Sequence, residues 1–177
     1  MKVFINPGHC PGIDPGAVGQ TGLQEADVAR NVGKLVEHYL NAVGVETESC
    51  QDDDLAYVCE RANNSGADLF VSIHCNAASP AAEGTETWFC AGSYHGRILA
   101  EFIQQQIVEA LGTVDRYIKE AMPGRNGLYV LTNTDMPAVL VELAFISNED
   151  DEELLTNDQD EFARAVARGI TDYISHM

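Results

Sequence analysis

Three short apolar runs narrow the folds open to this chain, because each ends on, or carries, a polar group. Lys2-Val3-Phe4-Ile5-Asn6 stops at Pro7-Gly8 and leads to His9. Asp68-Leu69-Phe70-Val71-Ser72-Ile73 leads directly to His74, and Ala138-Val139-Leu140-Val141-Glu142-Leu143 holds a carboxylate inside an otherwise apolar stretch. Runs of this length and composition are strands, and between them lie segments of helical periodicity. From about Gln24, Ala29, Val32, Val36, Tyr39, Leu40 and Val43 share one face, and Gly44 closes that helix. A second helix, capped by Asp52 or Asp53, runs to about Asn64 and stops at Gly66. A third spans about Ser93 to Leu111, with Ile98, Phe102, Ile103 and Ile107 facing inward. Helices near Glu149–Leu155 and Gln159–Ile174 finish the chain. Further strands are expected at Val45–Cys50, Thr85–Cys90 and Leu128–Leu131, with a glycine-rich loop over 7–22 and irregular structure over 112–127. Strands alternating with helices predict an α/β fold, a twisted and mostly parallel sheet of about six strands flanked by helices on both faces. Such a sheet gathers the polar groups at the carboxyl ends of its strands along one edge, where α/β folds bind ligands.

The 177 residues are read as a single domain, 1–177, with no linker or repeat to divide it. No stretch approaches the ~20 consecutive apolar residues of a membrane span. The N-terminus enters a strand at once, without an apolar signal core or cleavage site, so the chain is expected to stay in the cytoplasm until lysis or another route releases it. A net charge of −18 argues against a nucleic-acid partner, since phosphate binding depends on clustered Lys and Arg. The acidity reads as solubility, and two acidic runs, Asp52–Asp54 and Glu149–Glu153, lie where helices begin and where their dipoles favour negative charge. Cys10, Cys50, Cys59, Cys75 and Cys90 form no CxxC pair, so neither a disulfide framework nor a thiolate metal site is indicated. Cys75, next to His74 on its strand, faces the opposite way and is expected in the core.

Catalytic zinc sites use three protein ligands drawn from His, Asp and Glu and keep one position open. His9 and His74 are candidate nitrogen ligands, and Glu25 and Glu142 are carboxylates within reach. Each has a plainer reading. A histidine at a strand end is commonly a satisfied polar residue, and a glutamate in a helix's first turn is commonly a solvated charge. Glu142 is harder to explain away. Burying an unpaired carboxylate among Val, Leu and Ala costs several kcal/mol, so it needs a partner such as a metal site, Arg61 or Arg125. His38, His95 and His176 read as surface or capping residues. Trp88, Tyr94 and Tyr129 are either core residues or contacts for a sugar or peptide.

Seven segments, in order, bear a likeness to one family. They are Asn6-Pro7-Gly8-His9, Asp14-Pro15-Gly16-Ala17-Val18-Gly19, Gly22-Leu23-Gln24-Glu25, Arg61-Ala62-Asn63, Ala67 through Ala77, Gly84-Thr85-Glu86-Thr87, and Pro137 through Glu142 with Ser147-Asn148. Through them the chain resembles the catalytic domain of the zinc-dependent N-acetylmuramoyl-L-alanine amidases of bacterial cell walls and phage endolysins. The resemblance implies that His9, Glu25 and His74 hold Zn2+ and that Glu142 is the catalytic base and acid. It also implies a peptidoglycan substrate, cut between N-acetylmuramic acid and the L-alanine of the stem peptide. Asn76, two residues beyond His74 and on the same side of the strand, is a candidate for orienting substrate. The family often carries Thr-Arg before the acidic run after its second strand, whereas this chain has Ser49-Cys50-Gln51. Regulated members also insert a helix that plugs the site; residues 77–127 leave little room for one, which predicts an open site. Two other readings share these residues: an inactive peptidoglycan-binding or regulatory domain, and a zinc hydrolase acting on a different amide.

Overall fold

The structure, a computed structural model, describes residues 1–125 and 128–177. Six strands form one sheet: β1 (Lys2–Pro7), β2 (Glu46–Ser49), β3 (Leu69–Asn76), β4 (Thr85–Cys90), β5 (Asp115–Ala121) and β6 (Ala138–Phe145), in the order β2-β1-β3-β6-β4-β5. β2, β1, β3 and β6 run parallel; β4 pairs antiparallel with β6, and β5 parallel with β4. The helices are α1 (Glu25–Ala42), α2 (Leu55–Asn64), α3 (Tyr94–Leu111), α4 (Tyr129–Thr132), α5 (Glu149–Asn157) and α6 (Gln159–His176).

The two middle strands are apolar on both faces because both faces are covered. On one face Val3, Ile5, Leu69, Val71, Ile73, Val139, Val141 and Leu143 pack with the inner sides of α1, α3 and α6. Cys75 belongs to this core, as its position beside His74 predicts. On the other face Phe4 stacks on Phe70 with ring centroids 5.9 Å apart, and Leu140, Val58, Cys59, Ala62, Val130 and Leu131 complete a smaller core under α2 and α4. That second core stops short of the sheet's carboxyl edge. Beyond Phe70 and Leu140 this face carries the polar residues Ser72, His74 and Glu142.

Two expectations are corrected. Residues 112–125 are not irregular, because they contain β5, an edge strand whose mostly exposed or half-buried side chains show no apolar alternation. The stretch 126–127 of the same expectation lies outside the described residues. Leu128–Leu131 is not a strand: α4 starts at Tyr129, and the consecutive residues Val130 and Leu131 both enter the smaller core, which a two-residue period forbids. A smaller shift concerns α2. Its cap is Asp54, whose carboxylate accepts from Ala56 N and Tyr57 N, while Asp52 accepts from Asp54 N to form the turn before the helix.

Candidate metal centre

β1 delivers His9 through a tight turn. Gly8 N donates to Ile73 O at 2.9 Å, holding the turn against β3, and His9 then adopts φ 59°. A residue with a Cβ carbon enters that left-handed region only when its surroundings impose it. Here the imposing partner is Asp14. Its Oδ2 lies 2.6 Å from His9 Nδ1, while its Oδ1 accepts from Gly16 N at 3.0 Å. Two glycines make room for the imidazoles. A Cβ at Gly8 would lie 2.2 Å from His74 Cε1, and one at Gly16 would lie 2.6 Å from His9 Cδ2 and 2.7 Å from Glu25 Oε2.

Glu25 is the first residue of α1, is buried, and stands between the two imidazoles. Its Oε1 lies 2.9 Å from His74 Nδ1 and accepts from Cys75 N; its Oε2 lies 3.2 Å from His9 Nε2 and accepts from Ala17 N. Burial works to raise its pKa, but the bonds from His74 and His9 prevail and hold the carboxyl well below the usual range. The bond to Glu25, opposed by desolvation and helped by the bond to Asp14, pushes His9 up to about 9. One ligand atom from each of His9, Glu25 and His74 lies within 4.8 Å of the other two. Two imidazoles and a carboxylate converging at this distance form a donor set that fits a divalent ion such as zinc. Gln51, in the segment that departs from the family's Thr-Arg, donates to Gly8 O at 3.1 Å and Ala26 O at 2.9 Å, tying the His9 turn to α1.

Glu142 pairs in register with His74 on one side and with Glu86 on the other. Its Oε2 is buried and accepts no hydrogen bond, which fits a carboxylate kept for a reacting partner. Arg61, one of the structural partners considered for it, instead bonds Glu48 at 2.8 Å. Burial pushes Glu142 up to about 7; the charge of His74 works against this, and the negative charges of Glu25 and Glu86 add to it. Asn76 lies on the same face, but its side chain is engaged by its neighbours: Nδ2 donates to Glu86 at 3.1 Å and Oδ1 accepts from Ala77 N. His38, His95 and His176 are exposed, as expected.

The sequence reading missed three residues of this neighbourhood: Asp14, Glu86 and Arg116. Asp14 and Glu86 lie inside segments that carried the resemblance, but charged side chains reveal their partners only once the chain is folded. Arg116 lies on the strand that was not anticipated.

The sequence matches the family described as N-acetylmuramoyl-L-alanine amidase (Amidase_3) over residues 3–172. Among individual proteins, the chain is 40% identical over 180 residues to the uncharacterized protein YqiI of Bacillus subtilis, covering 97% of this chain and 84% of that one. It is 38% identical over 180 residues to the N-acetylmuramoyl-L-alanine amidase LytC of the same organism, covering 97% of this chain but only 35% of LytC. Among solved structures, the amidase AmiC2 of Nostoc punctiforme superposes with a TM-score of 0.90 at 33% identity, covering 99% of this chain and 97% of that one.

Proposed function

The chain belongs to the N-acetylmuramoyl-L-alanine amidase family, and on that premise we propose that His9, Glu25 and His74 hold a zinc ion while Glu142 moves the proton in peptidoglycan amide hydrolysis. It is an enzyme of this class, and its substrate is peptidoglycan. The observation that carries the mechanism is the placing of a buried, unpartnered carboxylate oxygen in register with a histidine of the convergent donor group.

A zinc ion bound there supplies Lewis acidity, lowering the pKa of a water molecule and polarising the carbonyl under attack. The residues of the chain do the rest. With Asp14 accepting at Nδ1, His9 is held as the tautomer whose Nε2, on the Glu25 side, would offer its lone pair to the ion. Glu25 remains ionised and contributes the negative charge that two neutral imidazoles lack. Glu142 Oε2 accepts a proton from the attacking water as the new C–O bond forms on the lactyl carbonyl. It returns that proton to the nitrogen of L-alanine as the C–N bond breaks. A carboxyl poised near neutrality performs both transfers well, because neither protonation state is far from reach. Asn76 acts through Glu86, holding it beside Glu142.

The test is mass spectrometry of purified peptidoglycan fragments after incubation with the protein, with a chelator and after zinc is restored. Stem peptides with a free N-terminal L-alanine, abolished by the chelator and recovered with zinc, are expected. Intact muropeptides under zinc-replete conditions would contradict the proposal.

A further inference from the structure

The donor group is one end of a row of polar side chains that crosses the sheet. His74 on β3, Glu142 on β6 and Glu86 on β4 stand in register on adjacent strands, and Arg116 on β5 closes the row with its Nε 2.9 Å from Glu86 Oε2. The row exists because β5 bulges. Thr85 pairs with Asp115 and Thr87 with Ile118, so Arg116 and Tyr117 together face the single residue Glu86. Tyr117 takes φ 65° at this point, and its amide is held by the Asp115 carboxylate at 2.9 Å. A strained bulge that re-aims a side chain recurs beside functional sites.

The plainer explanation of Arg116 is that it neutralises Glu86. That explains only part of what is present. Glu86 already accepts from Asn76 Nδ2 and Trp88 Nε1, each at 3.1 Å. The Arg116 guanidinium uses one edge for Glu86, lies 4.7 Å above the Phe145 ring, and reaches Glu83 O only at 3.5 Å through Nη1. None of these contacts engages Nη2, and the side chain remains about one-third exposed at 36%. A guanidinium pinned at one edge and one face, with its remaining N–H groups exposed, is pre-organised for an anion. In a chain carrying 28 acidic and 10 basic residues, it also supplies local attraction for a negative substrate that the surface as a whole repels.

We propose that Arg116 is a specificity-determining residue that receives the free carboxylate of the second residue of the stem peptide. The inference rests on the amidase reading above and extends it. In peptidoglycan the residue after L-alanine is an acidic D-residue joined onward through its side chain, so its α-carboxyl is either free or amidated. Two extended residues span about 7 Å, and the guanidinium, at Glu86 beside Glu142, lies one to two strand spacings of ~4.8 Å from the proton-moving group. The lengths match.

The test compares two soluble substrates in which the glutamyl side chain is already in amide linkage, N-acetylmuramoyl-L-alanyl-γ-D-glutamyl-L-lysine amide and its glutamyl α-amide, with the zinc-loaded wild type, Arg116→Gln and Arg116→Lys. Wild type is expected to show a KM about tenfold lower for the acid, the size of one charge-assisted hydrogen bond. Arg116→Gln is expected to lose that preference through KM with kcat within about twofold of wild type, and Arg116→Lys, a cation without the fork, to keep part of it. A wild type indifferent to amidation, or an Arg116→Gln enzyme whose kcat falls equally on both substrates with their KM ratio kept, would overturn the proposal and leave Arg116 as the partner of Glu86. Should Arg116→Gln fail to fold, the wild-type and Arg116→Lys preferences decide alone. Hydrolysis of neither substrate by wild type would sink the amidase reading, and this inference with it, a result distinct from hydrolysis without preference.

Discussion

His9 shows what individual side chains contribute to this site. Its positive φ is not a local preference but a conformation held by Asp14 on one ring nitrogen and by Glu25 near the other. Asp14 is therefore a positioning residue, and Asp14→Asn is expected to weaken metal binding about 10- to 100-fold. Protonation gives a second readout in the same titration. Without metal, His9 holds its proton up to about 9, above the ordinary 6.5, through its bonds to Glu25 and Asp14. That proton stabilises the metal-free fold fully below about pH 6.5, and the contribution is lost as pH rises through about 9. Metal must displace the proton, so apparent affinity should climb by about tenfold per pH unit across that window and level off above it. Competition against a chromophoric chelator at several pH values measures both effects. An affinity flat between pH 6.5 and 9, or unchanged in Asp14→Asn, would show that His9 is not a ligand held in this way. His9 and His74, the proposed ligands, and Glu25 and Glu142 could be picked out in the sequence because each sits at a strand end, a helix start or inside an apolar run. Asp14 could not, since a half-exposed aspartate in a loop looks the same with or without a histidine beside it.

Elements were readable in proportion to how deeply they are buried. β1, β3 and β6 announce themselves by apolar runs, and α1, α3 and α6 by one-sided periodicity, because packing on both faces of the sheet demands those patterns. β5 lies at the sheet edge, and its place is set by pairing with β4 and by the bulge at Arg116 and Tyr117, neither of which leaves an apolar signature. α4 was mistaken for a strand because four apolar residues suit either state, and only the smaller core decides between them. The contact between α3 and α6 offers a test of packing away from the site. A Cβ at Gly169 would lie 2.6 Å from Ile103 Cα and 2.9 Å from Ile103 N, backbone atoms that cannot turn aside. Gly169→Ala should gain about 1 kcal/mol of helix propensity yet lose more by forcing the helices apart, where overpacking costs about 1–3 kcal/mol. A thermal melt lowered by several degrees, with turnover per folded molecule unchanged, is the expected result. An equal or higher melting temperature would mean that the two helices separate freely.

Taken together, the sheet explains why the site lies where it does. β1, β3 and β6 are parallel, so their carboxyl ends bring His9, His74 and Glu142 to one edge. β4 runs the other way, so its beginning, with Glu86, arrives at that same edge. A purely parallel sheet would place Glu86 at the far end of the molecule, away from Glu142. The described residues between 77 and 125 are taken up by β4, α3, β5 and their connections, which leaves little room there for an added helix. No described helix is long and apolar enough to cross a membrane. The surface that surrounds this edge belongs to a chain of net charge −18, so the proposed metal and Arg116 would be the cations of the row facing a substrate that the rest of the protein repels. All of this stands or falls on the division of labour between the three donors and Glu142, which bound zinc and turnover measured on the same samples of wild type, His74→Ala and Glu142→Gln would test most directly. His74→Ala is expected to lose the zinc, while Glu142→Gln keeps about one ion per chain and loses turnover by about 10²- to 10⁴-fold, the usual worth of a positioned proton carrier. Zinc lost from a folded Glu142→Gln, or turnover near wild type in that variant, would contradict that division.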